Sequence, residues 1–391
     1  MFNSNLGDPL VYWLFRILLL TVLVYSGYLI SRLKEKEIKR YWSLSIVPII
    51  LFSLFYGLRW MRGADYIHYA QDVEQGSKSY YINDETETVY RWWCDLCANL
   101  HIAPEVVFTI YAALFIGGIF AVLRFYKKAA VWTLPMTVLI TGASVECHFR
   151  QYFAVSFILF AFAFMLDKKR LLSALSFLLA YLIHSSTIFP IALILVSYLY
   201  KDKVRLKNSY LYILVAVYLA LYFFWDKSML GPFATWLSMM SFDSDSNMMR
   251  YVDDADRWFT DEGSLSFLKG TKSVASSFLF VSMQFASTLA IMILGYFAAK
   301  KDSKVLPMFV CTYIANVFFI LAGDIEIIDR IGKGCQFFAP ILLGVGLVYT
   351  NIKRKYINYL YAVYLMYFVF YLTIRQFGDP GEFGCAFIWD K

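Results

Sequence analysis

FRQYFAVSFILFAFAFMLDKKRLLSALSFLLAYLIHSSTIFPIALILVSYLY, residues 149–200, decides the fold class. The stretch opens with an apolar run that ends at the basic loop DKKR, residues 167–170, and a second apolar run follows. A membrane helix needs about 20 mostly apolar residues to cross the hydrocarbon core, and the first run has about that length. His184-Ser185-Ser186 divides the second run into two shorter pieces. These pieces predict either two short spans or one long tilted helix.

The rest of the chain has the same character. Of its 391 residues, 60% are apolar and only 17% are charged, and the apolar set includes 36 Phe, 30 Tyr and 10 Trp. A soluble domain is nearer half apolar and a quarter charged, so a soluble enzyme of this composition would expose large apolar patches. The composition also excludes a disordered chain, a collagen and a small disulfide-bonded secreted domain.

We therefore predict an all-α, polytopic integral membrane protein that forms one domain over residues 1–391. About twelve helices, within a range of about 10 to 14, are expected to cross the membrane. The first run is too long for a signal peptide, and no small-residue cleavage site follows it. The predicted spans are 10–31, 41–58, 104–123, 129–146, 149–166, 171–183, 187–200, 208–225, 274–299, 305–323, 335–350 and 358–374.

Lysine and arginine are concentrated in every second loop. Six such loops hold 21 of the 36 Lys and Arg residues but only 5 of the 29 Asp and Glu residues. Because cytoplasmic loops carry the positive excess, these loops are predicted to face inward and both termini to lie outside. The net charge of +7 then reflects a basic inner face and an acidic outer face, not a site for nucleic acid. The six loops are 32–40, 124–128, 167–170, 201–207, 300–304 and 353–355.

Two outer loops, 59–103 and 226–273, are far longer than a chain reversal requires. Long structured loops on one face indicate that the function is carried out there. The first of them begins with a cationic segment, YGLRWMRGADYIHYA, residues 56–70.

In this segment Arg59, Arg62 and Asp65 recur at every third position, a spacing that could place them on one helical face. Tyr66 and Tyr69 would continue that face. Gly63 would break the helix or let a ligand approach its backbone. A charged interfacial anchor with a local Arg–Asp pair is the alternative interpretation.

Three further polar segments lie at the same predicted membrane boundary. Glu146–Gln151, ECHFRQ, contains Arg150, which could simply pair with Glu146 four residues earlier. His184 and Ser185 must reach water in a cavity or bond to neighbouring helices or to backbone carbonyls. The segment AGDIEIIDRIGKG places Asp329 beside Arg330, and a solvated loop is the alternative there.

Other catalytic motifs are missing from the sequence. No H-x-x-x-H or H-E-x-x-H spacing occurs, and Cys94-Asp-Leu-Cys97 is a lone C-x-x-C, so no metal and no other cofactor is predicted. The two cysteines are interpreted as packing residues, with a disulfide or redox pair as the alternative. Neither a Walker A loop nor G-x-G-x-x-G follows a predicted strand.

Several arginines, a carboxylate and a histidine at an outer membrane boundary suit transfer from a lipid diphosphate. The leaving diphosphate develops negative charge, and fixed guanidinium groups can hold two of its oxygens at once in place of a divalent cation. A nearby Asp or His could take the proton from an attacking sugar hydroxyl.

The same segments resemble the EpsG family, the Wzy-like polymerases of bacterial polysaccharides. LRWMRGADYIHY is similar to that family's arginine-rich G-x-D-Y-x-x-Y segment near the second span. FRQYF is similar to its R-Q segment, the later HSS to its H-S-S, and IDRIGKG to its late D-R-I. The matches occur in the family's order over residues 59–331.

The resemblance implies an integral-membrane glycosyltransferase with a GT-C-like polymerase or ligase architecture in the bacterial inner membrane. It would join undecaprenyl-diphosphate-linked repeat units into O-antigen of lipopolysaccharide, capsule or exopolysaccharide at the periplasmic face. Membrane lipids, a chain-length regulator and a flippase would be its partners.

The arginines that converge on one membrane face suggest roles for individual residues, most of them at positions that match the family's motifs. Arg150 and Arg330 would hold the diphosphate, and Asp65 or His184 would be the general base. The substrate-binding set would be Arg59, Arg62, Gly63, Tyr66, Tyr69, Gln151, Ser185 and Asp329. The chain departs from the family pattern at Ala64, where a hydroxyl residue is usual, and at Gly334-Cys335, where an aromatic residue is expected.

Two alternatives remain open at this point. A flippase for the same lipid-linked units would also need basic residues in an apolar cavity, although the chain shows no internal repeat of the kind common in transporters. An O-antigen ligase would share the reaction and differ in its acceptor.

Overall fold

The computed structural model describes residues 8–63, 65–83, 86–225, 274–322, 326–350, 362 and 385–390. Within these ranges the regular structure is helical, and the β pairing is limited to an isolated antiparallel bridge between Arg59 and Phe387. The all-α prediction is therefore confirmed. The helices are α1 (Pro9–Ser31), α2 (Ile38–Gly57), α3 (Tyr66–Gln75), α4 (Thr88–Asn99), α5 (Pro104–Leu123), α6 (Ala130–Cys147), α7 (Phe149–Leu166), α8 (Arg170–Ile183), α9 (Ile188–Tyr200), α10 (Asn208–Phe224), α11 (Val274–Lys301), α12 (Leu306–Ala322), α13 (Glu326–Gln336) and α14 (Ala339–Tyr349).

Six helical segments in the described ranges are long and apolar enough to cross a membrane, which agrees with a polytopic membrane protein. The count of twelve spans and the GT-C-like architecture stay predictions. The outer loop 226–273 and, apart from residue 362, the span 358–374 lie outside the described residues. The six segments are Pro9–Ser31, Ile38–Gly57, Pro104–Leu123, Phe149–Leu166, Ser303–Leu321 and Arg330–Tyr349.

Burial separates central helices from peripheral ones. In α5 and α7, 72% of the residues in the most apolar stretch of the helix are buried by other parts of the chain. In α1 and α2 the corresponding fraction is 33%. The outer helices therefore leave large apolar side chains such as Leu10, Leu14 and Ile17 exposed, as lipid-facing helices do. Several hydroxyl side chains inside the helices bond to their own helix: Ser156, for example, donates to the carbonyl of Tyr152.

The polar triplet at 184–186 separates two helices. α8 ends at Ile183, His184 has an extended backbone with φ −154° and ψ 109°, and α9 begins after a short 3₁₀ turn. The hydroxyl of Tyr198, near the end of α9, donates to the carbonyl of Met165 at the end of α7, so α9 runs back antiparallel to α8. The two-helix prediction is confirmed and the single long helix is wrong. Each helix is only about 20 Å long, less than the hydrocarbon thickness of about 30 Å.

The basic loops gather at one end of the helix bundle, here called the basic end. Its described members are 32–37, 124–129, 167–169, 201–207 and 302–305. Lys127 Nζ donates to the carbonyl of Lys34 at 2.8 Å, Arg124 pairs with Asp167, and Ser303 Oγ donates to Asp202 at 2.9 Å. These contacts hold described basic loops together, as the charge pattern predicted for them. The sixth loop, 353–355, lies outside the described residues, and the orientation of this end stays a prediction.

The opposite end, here called the site end, carries residues 58–63, 65–69, 148, 184 and 330. The last described residues also lie there: the N–H of Trp60 donates to the carbonyl of Ala386, and that of Ile388 to the carbonyl of Leu58, both at 3.0 Å. The Phe387 ring packs 5.5 Å from the Phe15 ring of α1. The start of α1 and residues 385–390 thus share one end, as an even number of spans requires.

Candidate functional site

The connection between α2 and α3 is not helical. α2 ends at Gly57, Met61 and Gly63 have positive φ values of 52° and 95°, and α3 starts at Tyr66 after Asp65. The expectation of one helical face through the arginines is therefore wrong. Gly63 breaks the helix, as one of its two predicted roles requires, and its approach by a ligand stays a prediction. A Cβ atom at Gly63 would lie 2.5 Å from the carbonyl oxygen of Glu146.

Arg59 is fully buried in this connection. Its guanidinium lies over the rings of Phe149, Phe108 and Tyr66, at 4.8, 5.3 and 5.8 Å from their centres. Its three nitrogens have no hydrogen-bond partner among the described residues. Burial lowers the pKa of Arg59 to about 10, partly offset by the charge of Glu146, so the side chain stays cationic at neutral pH.

Arg62 is also fully buried. It lies beside Glu146, the carboxylate that the sequence suggested as the partner of Arg150. It donates to the carbonyl of Phe55 at 2.6 Å and lies 3.4 Å from Glu146 Oε1. The local Glu146–Arg150 pair is therefore wrong. Neither Arg59 nor Arg62 is exposed, and their predicted contact with substrate stays a prediction.

Arg150 and Gln151 begin α7 and reach toward different neighbours. The Arg150 guanidinium lies 3.3 Å from Glu87 Oε2 and 5.2 Å from the centre of the Tyr90 ring. Gln151 Nε2 donates to the carbonyl of Arg330 at 2.5 Å. The two adjacent residues thus bring the start of α4 and the helix α13 to the same corner of the site end.

Glu87, directly before α4, is the functional candidate that the sequence did not single out. Its Oε1 accepts hydrogen bonds from the backbone N–H and the hydroxyl of Ser185, at 2.8 and 2.9 Å, and lies 3.1 Å from His184 Nδ1. An ionised carboxylate can only accept, so Nδ1 carries the proton and Nε2 of the neutral ring is an acceptor. Glu87 stands in an acidic run, Asp84 to Glu87, in which no local pattern distinguishes it.

The electrostatics of this cluster favour a charged Glu87 and a neutral His184. Burial would raise the pKa of Glu87, but the hydrogen bonds from His184 and Ser185 and the charge of Arg150 outweigh it and hold that pKa well below its usual range. Burial lowers the pKa of His184; Glu87 opposes this effect, and Arg150 and Arg330 add to it. A histidine that is neutral at pH 7 can accept a proton.

His148 and Tyr69 connect this cluster to Arg330. Burial, with Lys333, Arg330 and His184 nearby, lowers the pKa of His148 to about 3. Burial raises the pKa of Tyr69 to about 12, and the charges of Arg150, Asp65 and Arg330 also act on it. Tyr69 therefore lies close enough to Arg150, Asp65 and Arg330 for their charges to affect its pKa.

The remaining predicted residues lie at the edge of this cluster. Asp65 Oδ1 is 3.8 Å from His68 Nδ1, and its side chain is 28% exposed. Tyr66 is buried between the rings of Trp60 and Phe108. The side chain of Asp329 and all of Ala64 lie outside the described part of the chain.

No disulfide joins the described cysteines, and Cys94 and Cys97 are both buried. This agrees with the packing interpretation of the C-x-x-C motif. In the part of the chain that the structure describes, no group of three or more His, Cys, Asp or Glu residues is arranged to hold a metal ion. The prediction of a metal-independent reaction stays a prediction.

The site end therefore combines fixed cations, a neutral imidazole and a partly buried carboxylate, Glu87, that orients the imidazole. No curated protein and no solved structure matches the chain. The family model described as the EpsG family matches residues 41–380, most of the chain. This match confirms the resemblance drawn from the motifs, and the chain belongs to the EpsG family, a family of Wzy-like polymerases.

Proposed function

We propose that the protein polymerises undecaprenyl-diphosphate-linked oligosaccharide repeat units at the outer face of the bacterial inner membrane. The observation that carries this proposal is the junction of Arg150, His184 and Ser185 around Glu87, beside the Gln151–Arg330 contact. Membership of the EpsG family supports a polymerase-type glycosyltransferase.

In this reaction a sugar hydroxyl of one lipid-linked unit attacks the anomeric carbon of the growing chain. A carbon–oxygen bond forms to the hydroxyl, and the bond from the anomeric carbon to the diphosphate oxygen breaks, with its electron pair leaving on the lipid diphosphate. The guanidinium groups of Arg150 and Arg330 would hold this leaving diphosphate, which gains one negative charge as the bond breaks, by charge-assisted hydrogen bonds.

The proton of the attacking hydroxyl would pass to Nε2 of His184. Of the two bases predicted from the sequence, His184 is the better supported, because Glu87 fixes its Nδ1–H and stabilises the imidazolium that forms. The side chain of Asp65 is 28% exposed, so a role in binding the acceptor sugar suits it better.

The test is a purified-protein assay with a synthetic undecaprenyl-diphosphate-linked repeat unit, a chelator and no added nucleotide. Polymer length is read on a gel for the parent protein, Arg150→Lys and Arg330→Ala. We expect a chelator-resistant ladder from the parent and at least about a 100-fold loss of chain growth in both variants, the usual cost of removing one transition-state donor.

Arg205→Ala is the matched control, since Arg205 is exposed at the basic end. It should give the parent ladder. Parent-length ladders from correctly inserted Arg150→Lys and Arg330→Ala would contradict the assignment of the arginines. Translocation of the lipid-linked unit without chain growth would replace the polymerase with a flippase.

A further inference from the structure

The basic end contains a cavity of about 660 Å³. Its volume falls in the range of small-ligand cavities. The cavity lies between the connections α1–α2, α5–α6, α7–α8 and α11–α12 and the end of α14. It is at the opposite end of the bundle from Glu87 and His184, so the proposed polymerase chemistry does not use it.

The polar wall of the cavity is predominantly cationic. Four cationic side chains line it against two carboxylates, Glu35 and Asp167, and Asp167 is already paired with Arg124. Lys127 is only 8% exposed and donates to the carbonyls of Lys34 and Glu35 at 2.8 and 2.9 Å. An ammonium has three N–H bonds, so one remains for another acceptor. The four cations are Arg124, Lys127, Lys128 and Lys304.

The other wall is mainly apolar and includes two tyrosines, Tyr126 and Tyr349. The Tyr126 side chain is 6% exposed, and its hydroxyl has no hydrogen-bond partner among the described residues. A small inorganic anion would leave the apolar wall unused, whereas an amphiphile would cover it and present its phosphate to the lysines. The apolar lining consists of Leu33, Ile38, Phe125, Ala129, Val345 and Val348.

We propose that this cavity binds the phosphate headgroup of an anionic phospholipid from the leaflet at the basic end. The exposed Lys128 and Lys304 would contact the phosphate from two different connections, with Lys127 behind them. The cavity lies where membrane-spanning helices end, which is the level of lipid headgroups, and basic pockets at such positions suit anionic lipids. The proposal rests on this geometry alone and is independent of the polymerase assignment.

The experiment uses the purified full chain and native mass spectrometry to measure affinity for phosphatidylglycerol, with phosphatidylcholine and inorganic phosphate as separate probes. We expect Lys128→Gln/Lys304→Gln to weaken phosphatidylglycerol binding about 10-fold to 30-fold, at about 1 kcal/mol per lysine. The matched control is Lys36→Gln/Lys203→Gln, because both lysines are exposed at the basic end and outside the cavity lining.

Equal losses in both double variants would overturn the proposal, because they would indicate general charge attraction. Displacement of phosphatidylglycerol by equimolar inorganic phosphate would also overturn it and identify a free-anion site. Weaker phosphatidylglycerol binding in Lys128→Gln/Lys304→Gln alone, together with weak phosphatidylcholine binding by the parent, would support the proposal. Polymerisation by each variant is measured in parallel, so failure here is separate from failure of the proposed function.

Discussion

Glu87 shows how one residue can organise a site from three distant parts of the chain. Its two oxygens meet Arg150 of α7 and both His184 and Ser185 of the α8–α9 connection. A carboxylate that accepts several charge-assisted hydrogen bonds stays ionised and fixes its donors. We infer that Glu87 positions His184. This inference rests on the proposed function.

Glu87→Gln tests this role at the same scale. Glutamine keeps an acceptor for Ser185 but removes the charge that raises the pKa of His184. That pKa should fall, so the acid limb of the pH–rate profile should move to lower pH by about one unit or more. The maximal rate should fall at least about tenfold, because the imidazolium formed in the reaction loses its partner.

Glu74→Gln makes the same chemical change on an exposed side chain of α3 and should leave the profile unchanged. A purely structural role for Glu87 would lower the amount of folded protein without moving the limb. An unshifted limb in well-folded Glu87→Gln protein would therefore remove the assignment of His184 as base.

At the scale of elements, the α2–α3 connection depends on Gly63. Gly63→Ala should destabilise the protein by at least about 1–3 kcal/mol, the usual cost of a residue held in an unfavourable backbone conformation. The new Cβ atom would also meet the backbone at Glu146, which cannot move away without shifting α6. Thermal unfolding in detergent measures the effect.

Gly117→Ala in α5 is the control, since a Cβ there meets only the Phe160 ring at 3.6 Å. The unfolding temperature of this variant should be unchanged or slightly higher.

Features set by local sequence were predictable, and those set by helix docking were not. The break at His184 and the turn at Gly63 follow from a polar triplet and a glycine in their own segments. The pairing of Glu146 with Arg150 failed because α6 ends at Cys147 and α7 starts at Phe149, so the i, i+4 rule for one helix does not apply.

Glu87 is the clearest case of a contact beyond local pattern. It lies 97 residues from His184 along the chain, and the match depends on how α4 docks against α7 and α8. The motif residues Arg150, Gln151 and His184 could be found from the sequence because they resemble those of the EpsG family. Glu87, the carboxylate that contacts both Arg150 and His184, could not be found in this way.

For the whole molecule, the separation of charge between the two ends gives a testable orientation. The basic end should face the cytoplasm, because translocating clustered Lys and Arg is unfavourable, and the site end should then face outward.

Cysteine labelling at two exposed positions tests this orientation. Tyr80 is 91% exposed in the first outer loop, and Lys203 is exposed at the basic end. Tyr80→Cys should react with a membrane-impermeant maleimide in spheroplasts of a bacterial host, and Lys203→Cys only after permeabilisation. The parent protein sets the background, because five of its six cysteines are buried. The reverse pattern would place the arginines and His184 on the cytoplasmic side, and would thereby exclude polymerisation at the outer face while leaving the geometry around Glu87 intact.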